Sequence, residues 1–447
     1  MTRPRNQSQD ASLLEKIRRQ FDFKPYPEQP LTQSPKEDIE ALFCHNLITA
    51  YYRRNRTIPH LKQPLILDAG CGSGYKSLTL AEANPQAKIV GIDLSEKSIE
   101  LAIQRLEYHG FNQTEFYVLS IENLSQLNYQ FDYINVDEVL YLLPDPVLGL
   151  QAIKSVLKPG GIIRVNFHSS LQRNSYFKAQ ELFKILGLMN DNPQTQEIQA
   201  VRDMMKSLNQ NVSLRLATWD CDPHLDRDDE RILMNYLFQG DKGYTIPEVF
   251  KMLEQVNLEF ISMLVWPYWE LTTLFKEPDN LPTFIAMSLP EATLEEQLHL
   301  FELLQPIHRL LDFWCGHPCP QQSSQNLENW TDSDWQAINI HLHPQLRTAK
   351  IREDLCNCIE NFTKFDMSDY LPNSTNVHLR LDRIQAAVLL PLWDRSCSLE
   401  FLVERWLQLQ PLNPITLEPI TWETAWNHLK KLVIELESAL YLLLDQN

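Results

Sequence analysis

Glycine is scarce in this chain, which has 12 glycines in 447 residues, about a third of ordinary usage. Eight of the twelve lie between Gly70 and Gly161, and none follows Gly316. Glycine alone lets the backbone turn sharply or approach a ligand without a steric penalty. We therefore expect a binding site in the segment 70–161. The 44% of hydrophobic residues excludes a disordered or fibrous chain.

Basic charge, long apolar runs and cysteine are also in short supply. The 40 basic residues face 58 acidic ones, a net charge of −18, which disfavours nucleic acid as a partner. No apolar run reaches the ~18 residues that a membrane span requires, and the first residues lead into no apolar stretch. Eight cysteines are too few for a disulfide scaffold in a chain of this length. We expect a cytoplasmic protein with reduced thiols and no membrane partner.

Between residues 64 and 170, short apolar stretches alternate with helical patterns. This alternation predicts a doubly wound, mostly parallel α/β sheet, whose ligand lies at the carboxyl ends of the strands. The predicted strands are 65–68, 88–93, 115–119, 131–137 and 162–167, and the main helices are 96–108 and 147–157; the segment 158–161 (KPGG) is the stop before the fifth strand.

The rest of the chain is mainly helical in pattern. Residues 174–243 predict a helical cap insertion over the strand ends, 258–265 predicts a further strand of the sheet, and 293–314 predicts an amphipathic helix. Four capping boxes mark helix starts, two of them before residue 60. The boxes begin at Ser12, Ser34, Thr245 and Thr293. The expected parts are an N-terminal helical segment (1–60), an α/β domain (61–289) and a mainly helical C-terminal domain (290–447).

Residues 65–74 (LILDAGCGSG) are a strand that runs into a glycine loop and then into a helix. The spacing is G-x-G-x-G, whereas the loop that binds dinucleotide phosphates is G-x-G-x-x-G. Asp68, at the end of the first strand, suits a cationic ligand group better than a diphosphate. Asp93, at the end of the second strand, suits the two hydroxyls of a ribose. A ligand with a ribose, a positive charge and no phosphate is S-adenosylmethionine (SAM).

Over residues 64–170 the sequence resembles the class I SAM-dependent methyltransferases, which have a Rossmann-like fold. The resemblance rests on four segments in order: 68–74 (DAGCGSG), 91–95 (GIDLS), 131–146 (FDYINVDEVLYLLPDP) and 157–161 (LKPGG). After the third strand the family often has an acid at the adenine, and this chain has Ser120, Ile121 and Glu122 there. The resemblance implies SAM as the cofactor, bound by Asp68, Gly70, Cys71, Gly72, Gly74, Asp93, Leu94, Ser120, Ile121, Glu122 and Asp137.

Residues that follow the fourth and fifth strands are the candidates for catalysis: Tyr141, Glu138 and His168, with Tyr244 as a weaker one. Each also has a structural interpretation, since Tyr141 could pack and His168 could bond local backbone. Methyl transfer mainly needs the nucleophile to be positioned and water to be excluded, so a general base is required only if the acceptor holds a proton. The segment that positions base amines in nucleic-acid amino-methyltransferases is absent at 135–138 (NVDE).

Two further features bear on cofactors and partners. Cys315, His317 and Cys319, with four downstream His and Cys residues, have zinc-ligand types but irregular spacing, so we expect no metal. Downstream are His341, His343, Cys356 and Cys358. The helical pattern at 381–392, 399–409 and 422–444 faintly resembles winged-helix-like modules of methyltransferases that act on proteins, or is a packing or homo-oligomerisation domain.

The sequence therefore predicts a SAM-dependent methyltransferase whose acceptor is a small metabolite or a protein or peptide side chain. The alternatives are a SAM-binding regulatory protein without transfer activity and an RNA methyltransferase.

Overall fold

The computed structural model describes residues 7–319, 327–370 and 379–446. They fall into two compact units, and helices and strands are numbered in chain order over both. Of the described residues, those within 1–34, 63–81 and 86–318 form the first unit, and those within 35–62, 82–85 and 319–447 form the second.

The first unit is built on an eight-stranded sheet, with strands in the order β3-β2-β1-β4-β5-β8-β7 and β6 paired to β5. Its strands are β1 (Leu65–Ala69), β2 (Lys88–Asp93), β3 (Thr114–Val118), β4 (Phe131–Val136), β5 (Leu157–Ser169), β6 (Gly243–Tyr244), β7 (Glu259–Met263) and β8 (Leu310–Gly316). Its helices are α1 (Gln7–Phe23), α4 (Tyr75–Ala83, whose last two residues belong to the second unit), α5 (Glu96–Tyr108), α6 (Pro146–Ser155), α7 (Asn174–Ile185), α8 (Thr195–Ser207), α9 (Ser213–Thr218), α10 (Asp229–Tyr236), α11 (Ile246–Gln255), α12 (Thr283–Ser288) and α13 (Leu294–Leu304).

The order of the strands indicates where in the sheet a binding site is expected. Strands β1 to β6 pair in parallel, whereas β8 runs antiparallel between β5 and β7. Strand β1 lies between β2 and β4, so the chain crosses from one half of the sheet to the other after β3. In such sheets a crevice opens at this reversal, beyond the carboxyl ends of the strands. The mostly parallel, Rossmann-like sheet expected from the sequence is confirmed.

The insertion at 174–243 is helical, as predicted, and comprises α7 to α10. These helices enclose a small core of their own, in which Phe183, Val201 and Tyr236 are fully buried. The hydrophobic packing of the insertion is therefore separate from that of the large sheet.

The second unit is mainly helical with a three-stranded sheet in the order β12-β9-β13. Strand β9 is antiparallel to both neighbours. Its helices are α2 (Ile39–His45), α3 (Leu47–Asn55), α14 (Asp332–Gln336), α15 (Ala349–Asn361), α16 (Arg383–Leu389), α17 (Leu399–Leu409) and α18 (Trp422–Ser438), and its strands are β9 (Ile338–Leu342), β10 (Phe365–Asp366), β11 (Arg380–Leu381), β12 (Cys397–Ser398) and β13 (Leu442–Gln446).

The unit boundaries differ from those expected at 60 and 290. Residues 310–316 are not the end of an amphipathic helix, because they form β8 in the middle of the large sheet. The first unit therefore extends to residue 318, and residues 35–62 fall in the second unit. The segment 158–161 is not a stop before the fifth strand either, since β5 already begins at Leu157.

Two of the four capping boxes are confirmed, at Thr245 and Thr293. The other two predicted starts are wrong. Helix α1 begins at Gln7, five residues before Ser12, and α2 begins at Ile39, where Asp38 accepts a hydrogen bond from the amide of Ala41 at 3.0 Å. Within the described parts of the chain, no helix is long and apolar enough to cross a membrane.

Candidate functional site

The glycine loop follows β1 and has a backbone that only glycine accepts easily. Gly70 and Gly72 have φ angles of +83° and +50°. A Cβ atom at Gly70 would lie 2.2 Å from Cγ2 of Val139, and one at Gly72 would lie 2.2 Å from the carbonyl oxygen of Tyr26. The loop thus passes close to the residues after β4 on one side and to the N-terminal segment on the other.

The N-terminal segment is bonded to this loop by several hydrogen bonds. The amide of Ser73 donates to the Tyr26 carbonyl at 2.9 Å, and its hydroxyl donates to the Pro27 carbonyl at 2.7 Å. Arg105 of α5, which is buried, donates to the carbonyls of Ser73, Gln29 and Pro30 at 2.8–3.0 Å. Residues 26–30 therefore form part of the wall beside the glycine loop.

A cavity of about 300 Å³ opens at the carboxyl ends of β1, β2 and β4. Eleven of the fourteen site residues predicted from the sequence line it: Gly70, Cys71, Gly72, Asp93, Leu94, Ser120, Ile121, Glu122, Asp137, Glu138 and Tyr141. The other three, Asp68, Gly74 and His168, lie outside the lining. Leu14, Ile17 and Phe21 of α1 supply an apolar wall that the sequence analysis did not assign.

Asp93, predicted to contact a ribose, ends β2 at the rim of the cavity. Its carboxylate accepts hydrogen bonds from the amides of Gly72 at 3.0 Å and Ser95 at 2.8 Å. Burial raises the pKa of Asp93, against the lowering effect of these amides. The carboxylate therefore links the glycine loop to the start of α5, and it lines the cavity where two vicinal hydroxyls could donate to it.

Asp68 lies beneath the glycine loop and not against the cavity. Its two oxygens accept hydrogen bonds from the hydroxyl of Ser77 at 2.6 Å and the amide of Asn135 at 2.8 Å. Burial raises the pKa of Asp68 to about 6, although both donors lower it. The geometry gives Asp68 a part in fixing β1, β4 and α4 together, whereas the sequence placed it at a cationic ligand group.

The residues after β3 line the opposite end of the cavity, where the adenine was expected. Ser120, Ile121 and Glu122 lie there together with Leu94. The hydroxyl of Ser120 accepts a hydrogen bond from Asn123 at 2.8 Å, which holds the start of this turn.

Asp137 follows β4 and belongs to a network of buried polar groups. It accepts hydrogen bonds from Asn166 at 2.5 Å and Arg164 at 3.3 Å, and the ammonium of Lys76 lies 3.2 Å from its second oxygen. Arg164 also pairs with Asp312 of β8 at 2.6 Å. This network connects β8 to Asp137, which lines the cavity.

Glu138 and Tyr141 lie next to each other at the end of the cavity beyond β4. The Tyr141 hydroxyl donates to Glu138 Oε2 at 3.3 Å, and the guanidinium of Arg309 pairs with both oxygens of Glu138, one of them at 2.9 Å. Burial would raise the pKa of Glu138, but Arg309 outweighs it and holds the pKa below its usual value. Glu138 therefore faces the cavity as a carboxylate at neutral pH.

His168, near the end of β5, is buried behind these residues. Its Nδ1 lies 2.6 Å from a carboxylate oxygen of Asp241, so Nδ1 carries the proton, and Nε2 accepts from Arg309 at 3.1 Å. The ring stacks on Tyr141 with 4.0 Å between centroids. Burial lowers the pKa of His168, so the ring is neutral. With Nε2 already engaged, His168 cannot reach a substrate directly.

Sequence reasoning missed Arg309, Asp241 and the part played by Tyr26. Arg309 lies 171 residues from Glu138, and Asp241 lies 73 residues from His168, so no local spacing connects the partners. Their one available signal was position, since Arg309 precedes β8 directly and Asp241 precedes β6. The weaker candidate Tyr244 lies in β6, and its ring contacts Phe167.

The cysteines and histidines that could have suggested zinc have other surroundings. Cys315 is buried in β8, and the ring of His317 lies 3.3 Å from the carbonyl of Leu157. Across residues 7–319, 327–370 and 379–446, the structure groups no three His, Cys, Asp or Glu side chains in a way that could hold a metal ion.

Comparisons with known proteins agree with this fold. Residues 62–235 match the family model of a methyltransferase domain. An uncharacterized protein of Synechococcus sp. is 28% identical over 326 residues, which are 72% of this chain and 75% of that one. A ubiquinone biosynthesis O-methyltransferase of Aromatoleum aromaticum is 36% identical over 129 residues, 27% of this chain and 49% of that protein. The structure of PKMT2 from Rickettsia typhi in complex with AdoHcy has a TM-score of 0.59 and 19% identity, and covers 95% of this chain and 78% of that one.

Residues 62–235 thus form a class I SAM-dependent methyltransferase domain, with SAM as the methyl donor. The chain spans about half the length of the ubiquinone biosynthesis O-methyltransferases that it matches, from 43 to 60%.

Proposed function

We propose that this protein transfers the methyl group of SAM to a nucleophilic atom of a small molecule that enters the cavity beside Glu138. The apolar wall formed by Leu14, Ile17 and Phe21 is the observation that carries this proposal. Those side chains line a cavity of about 300 Å³, and an apolar lining suits a small organic acceptor. We assign Gly70, Cys71, Gly72, Asp93, Leu94, Ser120, Ile121, Glu122 and Asp137 to the SAM site.

SAM supplies an activated sulfonium methyl group, so the protein needs to align the acceptor in line with it and to keep water out. In the displacement, the lone pair of the acceptor forms a bond to the methyl carbon while the carbon–sulfur bond breaks towards sulfur. The carboxylate of Glu138 can accept a hydrogen bond from the acceptor, and Tyr26 and Tyr141 line the same end. A carboxylate with a lowered pKa orients a proton-bearing acceptor better than it deprotonates one.

A protein or peptide side chain is the second candidate acceptor. The observation that favours it is the pair of carboxylates, Asp137 and Glu138, at the acceptor end of the cavity. A basic side chain reaching in from outside would share these carboxylates with their present partners Lys76, Arg164 and Arg309. The net charge of −18 is adverse to an RNA acceptor.

The acceptor is tested by supplying methyl-labelled SAM with fractionated lysate of the host cell. We expect label in the small-molecule fraction from the natural chain. Label in protein would establish the second candidate instead. Label in RNA, or SAM binding without any transfer, would contradict the proposal in favour of an RNA methyltransferase or a regulatory protein.

The SAM site is tested separately by Asp93→Ala, with binding measured by calorimetry. Loss of two hydrogen bonds to a carboxylate would cost about 3–6 kcal/mol, or more than a hundredfold in affinity. The matched control is Asp203→Ala, on the exposed surface of α8, which should bind SAM normally. Unchanged affinity of Asp93→Ala would overturn the ribose assignment.

A further inference from the structure

Glu138 is held in an unusual backbone conformation at the end of β4. Its φ angle is +57°, in the left-handed region that residues with a side chain seldom adopt. Its amide donates to the side-chain oxygen of Asn166 at 2.7 Å. A non-glycine residue with positive φ persists only where its surroundings hold it there. The contacts of the Glu138 side chain therefore need to be described.

Arg309 is the cationic partner of the Glu138 side chain. One guanidinium nitrogen lies 2.9 Å from Glu138 Oε2 and the other pairs with Oε1, so the two groups form a two-pronged pair. Such a pair fixes the plane of the carboxylate as well as its place. A lysine in place of Arg309 could supply the charge but not this planar geometry.

Arg309 is in turn held from behind by two buried groups. Its Nη1 atom lies 3.1 Å from Nε2 of His168, and Nδ1 of His168 lies 2.6 Å from Asp241. Asp241 also accepts hydrogen bonds from Arg173 and Gln180, both at 2.8 Å. His168 and Asp241 are 1% and 0% exposed, whereas Arg309 is 42% exposed. Two buried side chains thus support the guanidinium that pairs with Glu138.

We propose that Arg309 is a positioning residue for methyl transfer, which His168 and Asp241 orient and which fixes the carboxylate of Glu138 towards the methyl acceptor. This inference rests on the proposed function, because it assigns the acceptor end to Glu138. The charged and titratable groups that bear on Glu138 are Arg309, Asp137, His168, Tyr141 and Tyr26.

The test compares Arg309→Met, which removes the guanidinium, with Arg309→Lys, which keeps the charge. Arg231→Met is the matched control, because Arg231 is 48% exposed and pairs with Asp222 at 2.6 Å and Asp228 at 3.1 Å in the cap insertion. All variants are first compared by circular dichroism and by SAM calorimetry. We expect unchanged SAM affinity in each, since Arg309 does not line the cavity.

The first readout is transfer of label from SAM to whichever lysate fraction the natural chain methylates. A displacement of a reacting group by about 1 Å can cost about a hundredfold. We therefore expect Arg309→Met to lose at least tenfold in rate, Arg309→Lys to recover part of it, and Arg231→Met to match the natural chain. In Arg309→Met the acid limb of the pH–rate profile should also move to higher pH, because Glu138 then titrates without its cation.

The second readout does not depend on activity. Carbon-13 NMR of labelled glutamate carboxyls, with Glu138→Gln to assign the signal, follows the titration of Glu138. We expect its pKa below the ordinary glutamate range in the natural chain and at or above that range in Arg309→Met. If Arg309→Met does not fold, Arg309→Lys is compared with the natural chain instead. A lower rate in Arg309→Lys would then report the loss of the planar pairing geometry. Equal rates and an unshifted Glu138 titration would overturn the inference, whereas failure of the natural chain to transfer label would overturn only the proposed function.

Discussion

Replacing Gly72 by alanine tests the close approach between the glycine loop and the N-terminal segment. The new Cβ atom would lie 2.2 Å from the carbonyl oxygen of Tyr26, where about 3.2 Å is needed. The carbonyl must therefore move by about 1 Å, which breaks its hydrogen bond from the amide of Ser73. Overpacking costs about 1–3 kcal/mol and the lost hydrogen bond about 1 kcal/mol, so we expect about 2–4 kcal/mol beyond the cost of the φ angle.

The cost of the φ angle is isolated by Gly110→Ala. Gly110, after α5, has a φ of +83°, and an added Cβ would meet nothing within 4 Å. Urea unfolding should therefore show a loss of about 1–2 kcal/mol for Gly110→Ala, and a clearly larger loss for Gly72→Ala. Calorimetry should show normal SAM affinity for Gly110→Ala and at least a tenfold loss for Gly72→Ala. Equal losses of stability and affinity in the two variants would refute the argument that the loop and the segment are in tight contact.

Three further predictions concern buried polar groups. His343 of the second unit accepts a hydrogen bond from the Gln345 amide and bonds Thr49, and burial lowers its pKa to about 3. Because the unfolded chain binds the proton near pH 6.5, stability should fall by about 2 kcal/mol between pH 7 and pH 5, and denaturant titrations of His343→Asn should show a weaker fall. For Ser77→Ala we expect the free energy of unfolding to fall by about 1–3 kcal/mol at pH 8. The loss should shrink at pH 5, because Asp68, with its pKa of about 6, is then protonated and needs no donor. An equal loss at both pH values in thermal unfolding would contradict this. Arg105→Met should speed hydrogen exchange of the amides at 26–33, because three backbone carbonyls lose their donor; unchanged exchange by mass spectrometry would show that the guanidinium does not hold the segment.

The sheet and the part of the cavity lined by the glycine loop and Asp93 could be predicted because they depend on local sequence. A strand, a glycine loop and an acid at the end of the next strand lie within residues 65–93, and the structure brings Gly72 and Asp93 into contact. Helix starts were predictable where the hydroxyl and the glutamate of a capping box both reach the backbone, as at Thr245 and Thr293. At Ser34 the chain first makes a separate turn, so the helix begins only after Asp38.

The features that could not be predicted depend on contacts between residues far apart in the sequence. Residues 310–316 are apolar enough to continue a helix, and only their pairing with β5 and β7 makes them a strand. Asp68 was placed against the ligand because it ends a strand, yet Ser77 and Asn135 take both of its oxygens. Arg309 was missed because an arginine directly before a strand has no feature that marks its partner in sequence.

The contact of Tyr26 with the glycine loop has a consequence for how relatives should be compared. The methyltransferase match begins at residue 62 and ends at 235, but Tyr26, Phe21 and Arg309 all lie outside it. A fragment cut at the limits of the match would keep β1 to β5 and lose one wall of the cavity and the guanidinium beside Glu138. Divergence in acceptor preference among relatives should therefore follow substitutions near positions 14–27 and 309, while the glycine loop stays the same.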